Sequence, residues 1–430
     1  MNKETAQVKF LYGREAVPCT FKPGELAAVL TSSIEEYVPD KTGRELVREA
    51  LESPIGSERL CELSKGKNNI VIIASDHTRP VPSKVIMPEM LAEIRRGNPG
   101  ADITILIATG CHRGTTRDEL VSKFGEDIVC SEKIAIHDCE DEANLVDIGT
   151  LPSGGRCRIN KLAAQADLLV AEGFIEPHFF AGYSGGRKSV LPGICARETV
   201  MANHCSEFID SEYARTGILE GNPIHRDMLW AAEAAGLKFI VNVVLNSQKE
   251  PIFAAAGDTV QAHKKGTDFI SGLCAVEPVI SDIAISTNGG YPLDQNVYQA
   301  VKGMTAAEAT VREGGVIIML AASDDGFGGE SFYRLLTEEP DIKKTMSTFR
   351  SRSREETVPD QWEVQILLRI LMKATVIYVS HLPDEAIKAM HMIPAHSPDE
   401  AMNIARQIIG KPASVTAIPD GVSVVVRAAK

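Results

Sequence analysis

The feature that most constrains this chain is a series of short apolar runs, each followed by polar residues and separated by helical patterns. In the first part of the chain these runs are Asn69–Ala74, Asp102–Ala108, Lys133–His137 and Asp167–Ala171. Apolar runs of this length are typical of buried strands in a parallel sheet. The helical patterns between them lie at Lys84–Arg96, Thr116–Phe124 and Asn160–Ala166. This alternation predicts a doubly wound α/β sheet.

The same alternation returns in the last third of the chain. Strands are predicted at Ile280–Ser286, Val316–Ala322 and Thr375–Ser380, and a hairpin-like end at Val415–Ile418 and Val422–Val426. A chain of 430 residues is too long for one ordinary core. We therefore expect two Rossmann-like α/β domains, residues 1–275 and 276–430. Each has a central sheet flanked by helices, and the active site lies in the cleft between the domains.

Polar side chains follow the predicted strands of the first domain. Asp76 and Arg79 come after the first strand, His112 after the second and His178 after the fourth. A single Asp or Arg in a turn is ordinarily a cap or a solvated charge. Because the carboxyl ends of parallel strands share one edge of a sheet, we expect these four side chains to lie close together and form a site.

A glycine-rich stretch from Glu172 to His204 follows the fourth strand and allows three interpretations. A phosphate-binding P-loop needs a second glycine where Arg187 stands, so that interpretation fits poorly. A mobile surface loop with solvated charges is the second. In the third, Lys188 anchors a covalent cofactor, and His178 and His204 act as base or metal ligand. The loop by itself does not decide between the last two.

Composition limits the classes of partner. The net charge of −13 argues against broad nucleic-acid binding, so an anionic substrate would need a local basic pocket. Nine cysteines without a Cys-x-x-Cys motif indicate a reducing cytoplasm. The first seven residues have no apolar core, which predicts no signal peptide, and no apolar run approaches the roughly 18 residues of a membrane helix. We expect a cytoplasmic protein with neither membrane nor nucleic acid as a partner.

With these pieces together, the sequence resembles the nickel-pincer lactate racemase family. The matching stretches are Ser75-Asp-His-Thr-Arg-Pro-Val-Pro, Thr109-Gly-Cys-His-Arg-Gly, Glu176-Pro-His-Phe-Phe-Ala-Gly-Tyr-Ser-Gly-Gly-Arg-Lys-Ser, Asn203-His204, and Gly289-Gly-Tyr-Pro-Leu-Asp through Tyr298-Gln-Ala-Val-Lys-Gly. They occur in order over most of the chain, and the third is highly specific.

The resemblance implies a cofactor made of nickel and pyridinium-3-thioamide-5-thiocarboxylic acid mononucleotide. It implies a thioamide bond to Lys188 and a nickel ligand at His204, since imidazole suits nickel. His112 and His178 become the acid/base residues. The supporting roles that the resemblance implies are cofactor contacts from Asp76, Arg79, Gly185, Gly186, Arg187 and Ser189, and substrate contacts from Arg79, Tyr298, Gln299, Lys302 and Trp362. The implied partners are a small 2-hydroxy acid and the enzymes that make the cofactor, namely a carboxylase, a sulfur transferase and a nickel insertase.

The chemistry of the residues agrees with an isomerase. A racemase needs a base for each enantiomer, and two histidines with an ordinary pKa of about 6.5 can exchange protons at neutral pH. The expected reaction interconverts 2-hydroxy acids, with lactate as the default substrate, by moving a hydride to the cofactor and back. Two alternatives stay open at this point: a cofactor-independent lyase or hydrolase that uses the paired histidines, and a nickel- or nucleotide-binding protein without turnover.

Overall fold

The computed structural model describes residues 5–427, and these residues form two compact units. The first unit comprises residues 34–204 and 211–273. The second comprises the described residues up to Ser33, together with residues 205–210 and those from Cys274 onward. Residues 1–4, on which the expectation of no signal peptide partly rests, lie outside the described range. Within that range no helix is long and apolar enough to cross a membrane.

The described residues contain twenty strands and sixteen α-helices, numbered in chain order. The strands are β1 (Ala6–Tyr12), β2 (Glu15–Phe21), β3 (Leu26–Val29), β4 (Asn69–Ser75), β5 (Asp102–Ala108), β6 (Lys133–Ile136), β7 (Leu145–Thr150), β8 (Arg156–Asn160), β9 (Leu168–Phe174), β10 (Pro177–His178), β11 (Gly182–Tyr183), β12 (Leu237–Leu245), β13 (Pro251–Gly257), β14 (Ala275–Val276), β15 (Ser281–Thr287), β16 (Val311–Leu320), β17 (Thr375–Val379), β18 (Ile393–Ala395), β19 (Val415–Ile418) and β20 (Val425–Val426).

The helices are α1 (Gly43–Glu52), α2 (Leu60–Leu63), α3 (Ser83–Gly97), α4 (Arg117–Phe124), α5 (Glu126–Ser131), α6 (Lys161–Ala164), α7 (Arg197–Asn203), α8 (Ser206–Asp210), α9 (Pro223–Ala234), α10 (Gln261–Cys274), α11 (Val297–Glu308), α12 (Glu330–Thr337), α13 (Ile342–Ser351), α14 (Gln361–Lys373), α15 (Asp384–Ala389) and α16 (Pro398–Ile409). Short 3-10 turns lie at Ile34–Glu36, Glu142–Asn144, Gly186–Ser189 and Arg354–Glu356.

The first unit contains a six-stranded sheet in the order β13-β12-β9-β4-β5-β6. Its strands are parallel except β13, which pairs antiparallel with β12. Every residue of β9 is buried, as expected for an inner strand covered on both faces. The chain runs outward from β4 to β5 and β6 and then returns to place β9 on the other side of β4. The order therefore reverses between β4 and β9, and such a switch point is where doubly wound folds bind ligands.

The second unit contains another six-stranded sheet, in the order β18-β17-β16-β15-β19-β3, with all neighbours parallel. The α/β class and the presence of two sheets flanked by helices are confirmed. The expected first domain of residues 1–275 needs one correction, because the chain up to Ser33 lies in the second unit. The reason is pairing and burial: β3 extends this sheet beside β19, and Phe10 and Phe21 lie in its core.

Three local features also differ from expectation. The hairpin-like end is wrong, because β19 pairs parallel with β15 and β3 while β20 pairs with β14. The spacing of Tyr298, Gln299 and Lys302 predicts a helix at Asn296–Lys302; the observed helix begins at Val297 after an Asn296 cap and continues to Glu308, because Val301, Met304 and Ala307 extend its buried face. The β7–β8 hairpin and the antiparallel strand β13 were not expected. Polar residues interrupt β7 and β8, and the apolar run of β13 consists mostly of alanine, which is depleted in strands.

Candidate active site

The switch point of the first sheet gathers the polar residues that follow its strands. Asp76 and Arg79 lie in the turn after β4, His112 lies after β5, and His178 lies in β10, directly after β9. These turns leave the sheet at one edge because β4, β5 and β9 run parallel. The topology therefore places the four residues at the same edge of the sheet.

Asp76 and His112 are in direct contact. The His112 Nδ1 lies 2.7 Å from Oδ2 of Asp76, and Thr78 donates to the other carboxylate oxygen at 2.6 Å from its hydroxyl. Asp76 is 1% exposed, whereas the His112 side chain is 45% exposed. Arg79 is exposed, and its guanidinium donates to the Thr78 hydroxyl at 3.0 Å. A buried carboxylate thus holds an accessible imidazole, with an arginine alongside.

The Asp76 carboxylate stays ionised in this setting. Burial raises its pKa, but the hydrogen bonds from His112 and Thr78 outweigh burial, so the pKa lies below its ordinary value. A carboxylate can only accept, which places the proton of neutral His112 on Nδ1 and the lone pair on Nε2. This is the arrangement of a general base oriented by an acidic partner.

His178 lies among aromatic rings. It stacks on Phe179 with ring centres 5.1 Å apart and meets Phe180 edge-on at 4.5 Å. The Ala181 amide donates to His178 Nδ1 at 3.3 Å. An acceptor at Nδ1 places the proton of the neutral ring on Nε2. The two histidines therefore carry opposite tautomers, with His112 offering a lone pair and His178 an N–H.

Lys188 and His204 both approach Phe180. The Lys188 ammonium lies 5.9 Å from the centre of the Phe180 ring, and the His204 ring meets it edge-on at 5.3 Å. Lys188 stands in the 3-10 turn Gly186–Ser189, while His204 caps the end of α7. The loop and helix that the sequence separates by sixteen positions thus converge on one aromatic ring.

The state of His204 suits a metal ligand. It is buried, and its Nδ1 donates to the Val200 carbonyl at 2.9 Å, so the lone pair of the neutral ring is on Nε2. Burial, and second the charge of Lys188, lower the pKa of His204 to about 3. A neutral imidazole whose other nitrogen is fixed by a carbonyl is the usual form of a metal-binding histidine.

A metal at His204 would need other ligands from outside the chain. Across residues 5–427 no cluster of three or more His, Cys, Asp or Glu side chains is arranged to hold a metal ion. A cofactor that is attached at Lys188 and brings its own donor atoms would meet this requirement. Acylation of Lys188 would also remove the charge that disfavours a cation beside His204. The residues present therefore fit a nickel-pincer nucleotide.

The glycines of the loop serve packing within the protein. Gly185 and Gly186 have φ angles of +79° and +52°, which favour glycine. The Gly186 amide donates to Asn242 Oδ1 at 2.8 Å, and a Cβ on Gly186 would lie 2.9 Å from the His263 ring. The backbone thus uses the Gly186 donor internally, unlike a P-loop, whose amides point at phosphate. Gly185 and Ser189 remain partly exposed.

Arg187 is buried among partners from the protein itself. It is 1% exposed, and its guanidinium donates to the carbonyls of Ala181 (2.9 Å) and Gly185 (3.2 Å) and to Nδ1 of His225 (2.9 Å). Its Nη1 also lies 3.0 Å from Nε2 of His263. Burial lowers the pKa of Arg187 to about 9. This geometry favours a role in holding the loop over the expected contact with a cofactor phosphate.

Four residues expected to face the substrate lie in the second unit and form two pairs. The Trp362 indole donates to the Tyr298 hydroxyl at 3.3 Å, and the Lys302 ammonium donates to Gln299 Oε1 at 2.6 Å. All four are partly buried, and they are contributed by the neighbouring helices α11 and α14. A cation, an amide and two aromatic rings can together bind a small carboxylate.

Several residues of these clusters were not anticipated from the sequence. Thr78, Phe180 and Asn242 each contact a predicted site residue or its loop, as do His225 and His263. Only Asn242 carries a signal, as a polar residue within an apolar strand. His225 and His263 lie on ordinary helices, and only the fold brings them to Arg187.

Known proteins resemble this chain along nearly its whole length. Residues 12–217 match the family described as Lactate racemase N-terminal domain, and residues 276–426 match Lactate racemase C-terminal domain. The lactate racemase of Thermoanaerobacterium thermosaccharolyticum is 52% identical over 423 residues, covering 98% of this chain and 99% of that protein. The lactate racemase of Lactiplantibacillus plantarum is 53% identical over 417 residues, covering 97% and 98%.

Two solved structures also resemble it, to different degrees. The lactate racemase apoprotein from Thermoanaerobacterium thermosaccharolyticum matches with a TM-score of 0.95 at 52% identity, over 98% of this chain and 100% of the other. A Thermotoga maritima protein matches with a TM-score of 0.62 at 17% identity, over 90% and 97%. The second likeness concerns the fold alone.

Proposed function

Because this chain belongs to the lactate racemase family, we propose that it is an isomerase that interconverts the enantiomers of lactate or a closely related 2-hydroxy acid. The observation that carries the proposal is the pair of histidines at the switch point, His112 held by Asp76 at 2.7 Å and His178 held by a backbone amide. A reaction that must act on either enantiomer needs a proton acceptor and a proton donor, and the two tautomers supply one of each.

In the proposed mechanism these histidines move the proton of the substrate hydroxyl. His112 takes it at Nε2, and Asp76 stabilises the imidazolium that forms. His178 can donate from Nε2 when the carbonyl oxygen is reduced back to a hydroxyl. The aromatic rings of Phe179 and Phe180 cover His178 and limit its access to water.

Cations of the chain would bind the substrate carboxylate. Arg79 is exposed beside His112, and Lys302 is held by Gln299. Such local cations are needed because the chain as a whole carries a net charge of −13. Tyr298 and Trp362 would provide the apolar wall that meets the methyl group of lactate.

Lys188 and His204 are the residues that would hold the cofactor, Lys188 by a thioamide and His204 as the nickel ligand. When bound, the nickel-pincer nucleotide supplies a carbon centre able to accept and return a hydride. The proposal is supported by the neutral, carbonyl-fixed imidazole of His204 and by the convergence of both residues on Phe180. A carboxylase, a sulfur transferase and a nickel insertase would have to act first to make this group.

The deciding experiment follows the hydrogen on C2 of lactate. Protein produced together with the cofactor-synthesis enzymes is given one enantiomer of lactate in D₂O, and the other enantiomer is analysed for deuterium. We expect racemisation with almost no deuterium at C2, since hydride on carbon does not exchange with solvent. Deuterium uptake at the rate of racemisation would instead support a cofactor-independent proton transfer. If the protein binds nickel but turns over no 2-hydroxy acid, the result would support the alternative of a nickel- or nucleotide-binding protein.

Peptide mapping of the same preparation tests the attachment site. Lys188 should carry the added mass of the cofactor, and Lys188→Ala should lose both the mass and the activity. An active Lys188→Ala protein that contains nickel would contradict the assignment. Lys161→Ala, at an exposed lysine on α6, is a control that should change neither result.

A further inference from the structure

A lysine without a role in the proposed chemistry lies behind the turn that carries Asp76 and Arg79. Lys123 stands in the last turn of α4. Its ammonium donates to the carbonyl oxygen of Arg79 at 3.1 Å and lies 3.5 Å from that of Val81. A lysine near the end of a helix ordinarily extends into water, where its ammonium is best solvated. Here the ammonium is directed at the backbone of the turn.

The turn between β4 and α3 has few hydrogen bonds of its own. Pro80 and Pro82 have no N–H to donate. Its own bonds are a long one from the Arg79 amide to the Asp76 carbonyl, at 3.4 Å, one from the Ser83 amide to the Val81 carbonyl, at 2.9 Å, and those from the amide and hydroxyl of Thr78 to Oδ1 of Asp76, at 3.1 Å and 2.6 Å. The bond from the Lys123 ammonium to the Arg79 carbonyl therefore adds a restraint from outside the turn, between the Thr78–Asp76 bonds and the start of α3.

The ammonium lies among charged groups. Burial lowers the pKa of Lys123, while the charges of Glu172 and Asp76 raise it and that of Arg79 lowers it further. Glu172 is 1% exposed on β9, and its Oε1 accepts a hydrogen bond from Ser83, the first residue of α3. Within the described chain its Oε2 has no hydrogen-bond partner. Burial raises the pKa of Glu172, which favours its protonated form, and the charge of Lys123 opposes that rise.

We propose that Lys123 is a positioning residue of the active site. Its ammonium fixes the turn from Asp76 to Val81, and through that turn it sets the alignment of Asp76 with His112 and the reach of Arg79. The effect of Lys123 on catalysis rests on the proposed function, whereas its effect on the turn does not.

The first test measures the turn itself in protein without cofactor. Lys123→Met keeps the length of the side chain and removes the donors, and Lys123→Arg keeps the charge and the donors. Hydrogen exchange followed by mass spectrometry should show faster exchange in peptides covering residues 76–85 of Lys123→Met alone. The control is Lys133→Met, an exposed lysine of β6 that pairs with Asp102. Unchanged exchange at 76–85 in Lys123→Met would overturn the proposal.

The second test measures turnover in cofactor-loaded protein. Lys123→Met should lower kcat/KM about ten- to hundredfold, the range expected for a small displacement of catalytic groups. Lys123→Arg should stay within about threefold of the wild type. Full kcat/KM in Lys123→Met would overturn the proposal. If hydrogen exchange is rapid along the whole chain of Lys123→Met, that variant is unfolded and its turnover is not informative. Lys123→Arg then tests the proposal: near-normal turnover supports it, and a loss of kcat/KM above tenfold opposes it.

The two tests separate the inference from the proposed function. A loosened turn in Lys123→Met, together with no racemisation by the wild type, would remove the proposed reaction and leave the structural role of Lys123 in place. If the wild type racemises lactate and the turn of Lys123→Met is unchanged, the proposed reaction would stand and the role of Lys123 would be removed.

Discussion

At the scale of single residues, Asp76 determines which nitrogen of His112 can take a proton. Asp76→Asn retains the shape but offers an amide that can donate towards Nδ1, which favours the opposite tautomer. We expect kcat to fall by about two to four orders of magnitude. The larger value is the loss of about 10⁴-fold that follows when the aspartate of a catalytic triad is replaced by asparagine. Racemisation rates measured over a range of lactate concentrations check this. The matched control is Asp138→Asn, at an exposed aspartate after β6, and a variant Asp76→Asn with wild-type kcat would contradict the role.

A second residue, Glu363 on α14, predicts how stability depends on pH. It is fully buried, and neither carboxylate oxygen has a hydrogen-bond partner within the described chain. Burial raises its pKa from 4.5 to about 8, against the opposing charge of Lys302. Between these values the folded state holds a proton that the unfolded state has released, so the stabilising contribution is complete below pH 4.5 and is lost as the pH rises towards 8.

Glu363→Gln removes that titration. Because each pKa unit corresponds to about 1.4 kcal/mol, the wild type should lose several kcal/mol more than Glu363→Gln between pH 5 and pH 8. Denaturant unfolding at pH 5, 6.5 and 8 measures the difference. Glu313→Gln, at an exposed position of β16, should leave the pH dependence as it is in the wild type. Parallel curves for the wild type and Glu363→Gln would show that Glu363 does not titrate in this window.

At the scale of elements, the Gly186–Ser189 turn is held by close packing. Alanine at Gly186 would meet both an unfavourable φ of +52° and the His263 ring at 2.9 Å. Gly66 has a φ of +71°, and an added methyl carbon there would meet nothing within 4 Å, so Gly66→Ala isolates the backbone cost. We expect Gly66→Ala to cost about 1 kcal/mol and Gly186→Ala about 2–4 kcal/mol of unfolding free energy. Denaturant unfolding of the two variants measures both costs, and equal losses would mean that the His263 contact contributes nothing.

The elements also show what a sequence can and cannot predict. β4, β5 and β9 were predictable because inner parallel strands contain long apolar runs, here residues 70–74, 105–108 and 168–171, and the site residues follow soon after these runs. The burial of Arg187 was not predictable. Its burial depends on His225 and His263, which reach it only after α9 and α10 have packed. A charge in a glycine-rich loop looks solvated until the surrounding helices are known.

At the scale of the whole molecule, the two sheets were predictable and the membership of residues 6–33 was not. β3 is a short strand with two half-buried apolar residues, so its own pattern does not indicate a partner. Its partner is β19, and Leu26 pairs with Val415 near the other end of the chain. Contacts of such sequence separation leave no local signal. Alternation of strands and helices gives the class of the fold, while pairing across the chain decides which residues share a unit.

That pairing has a consequence for the order in which the protein is made. On the ribosome β1, β2 and β3 emerge first, yet the strand beside β3 emerges almost last. The first unit is fully synthesised once residue 273 has appeared, well before the second sheet can close. A nascent chain stalled after that point should therefore show protease protection of residues 34–204 and rapid cleavage within residues 6–29. Long-range pairing of this kind also slows refolding, so the full-length chain should regain protection of β3 in the slowest phase. During translation β3 stays without its partner strand until β19 has been made.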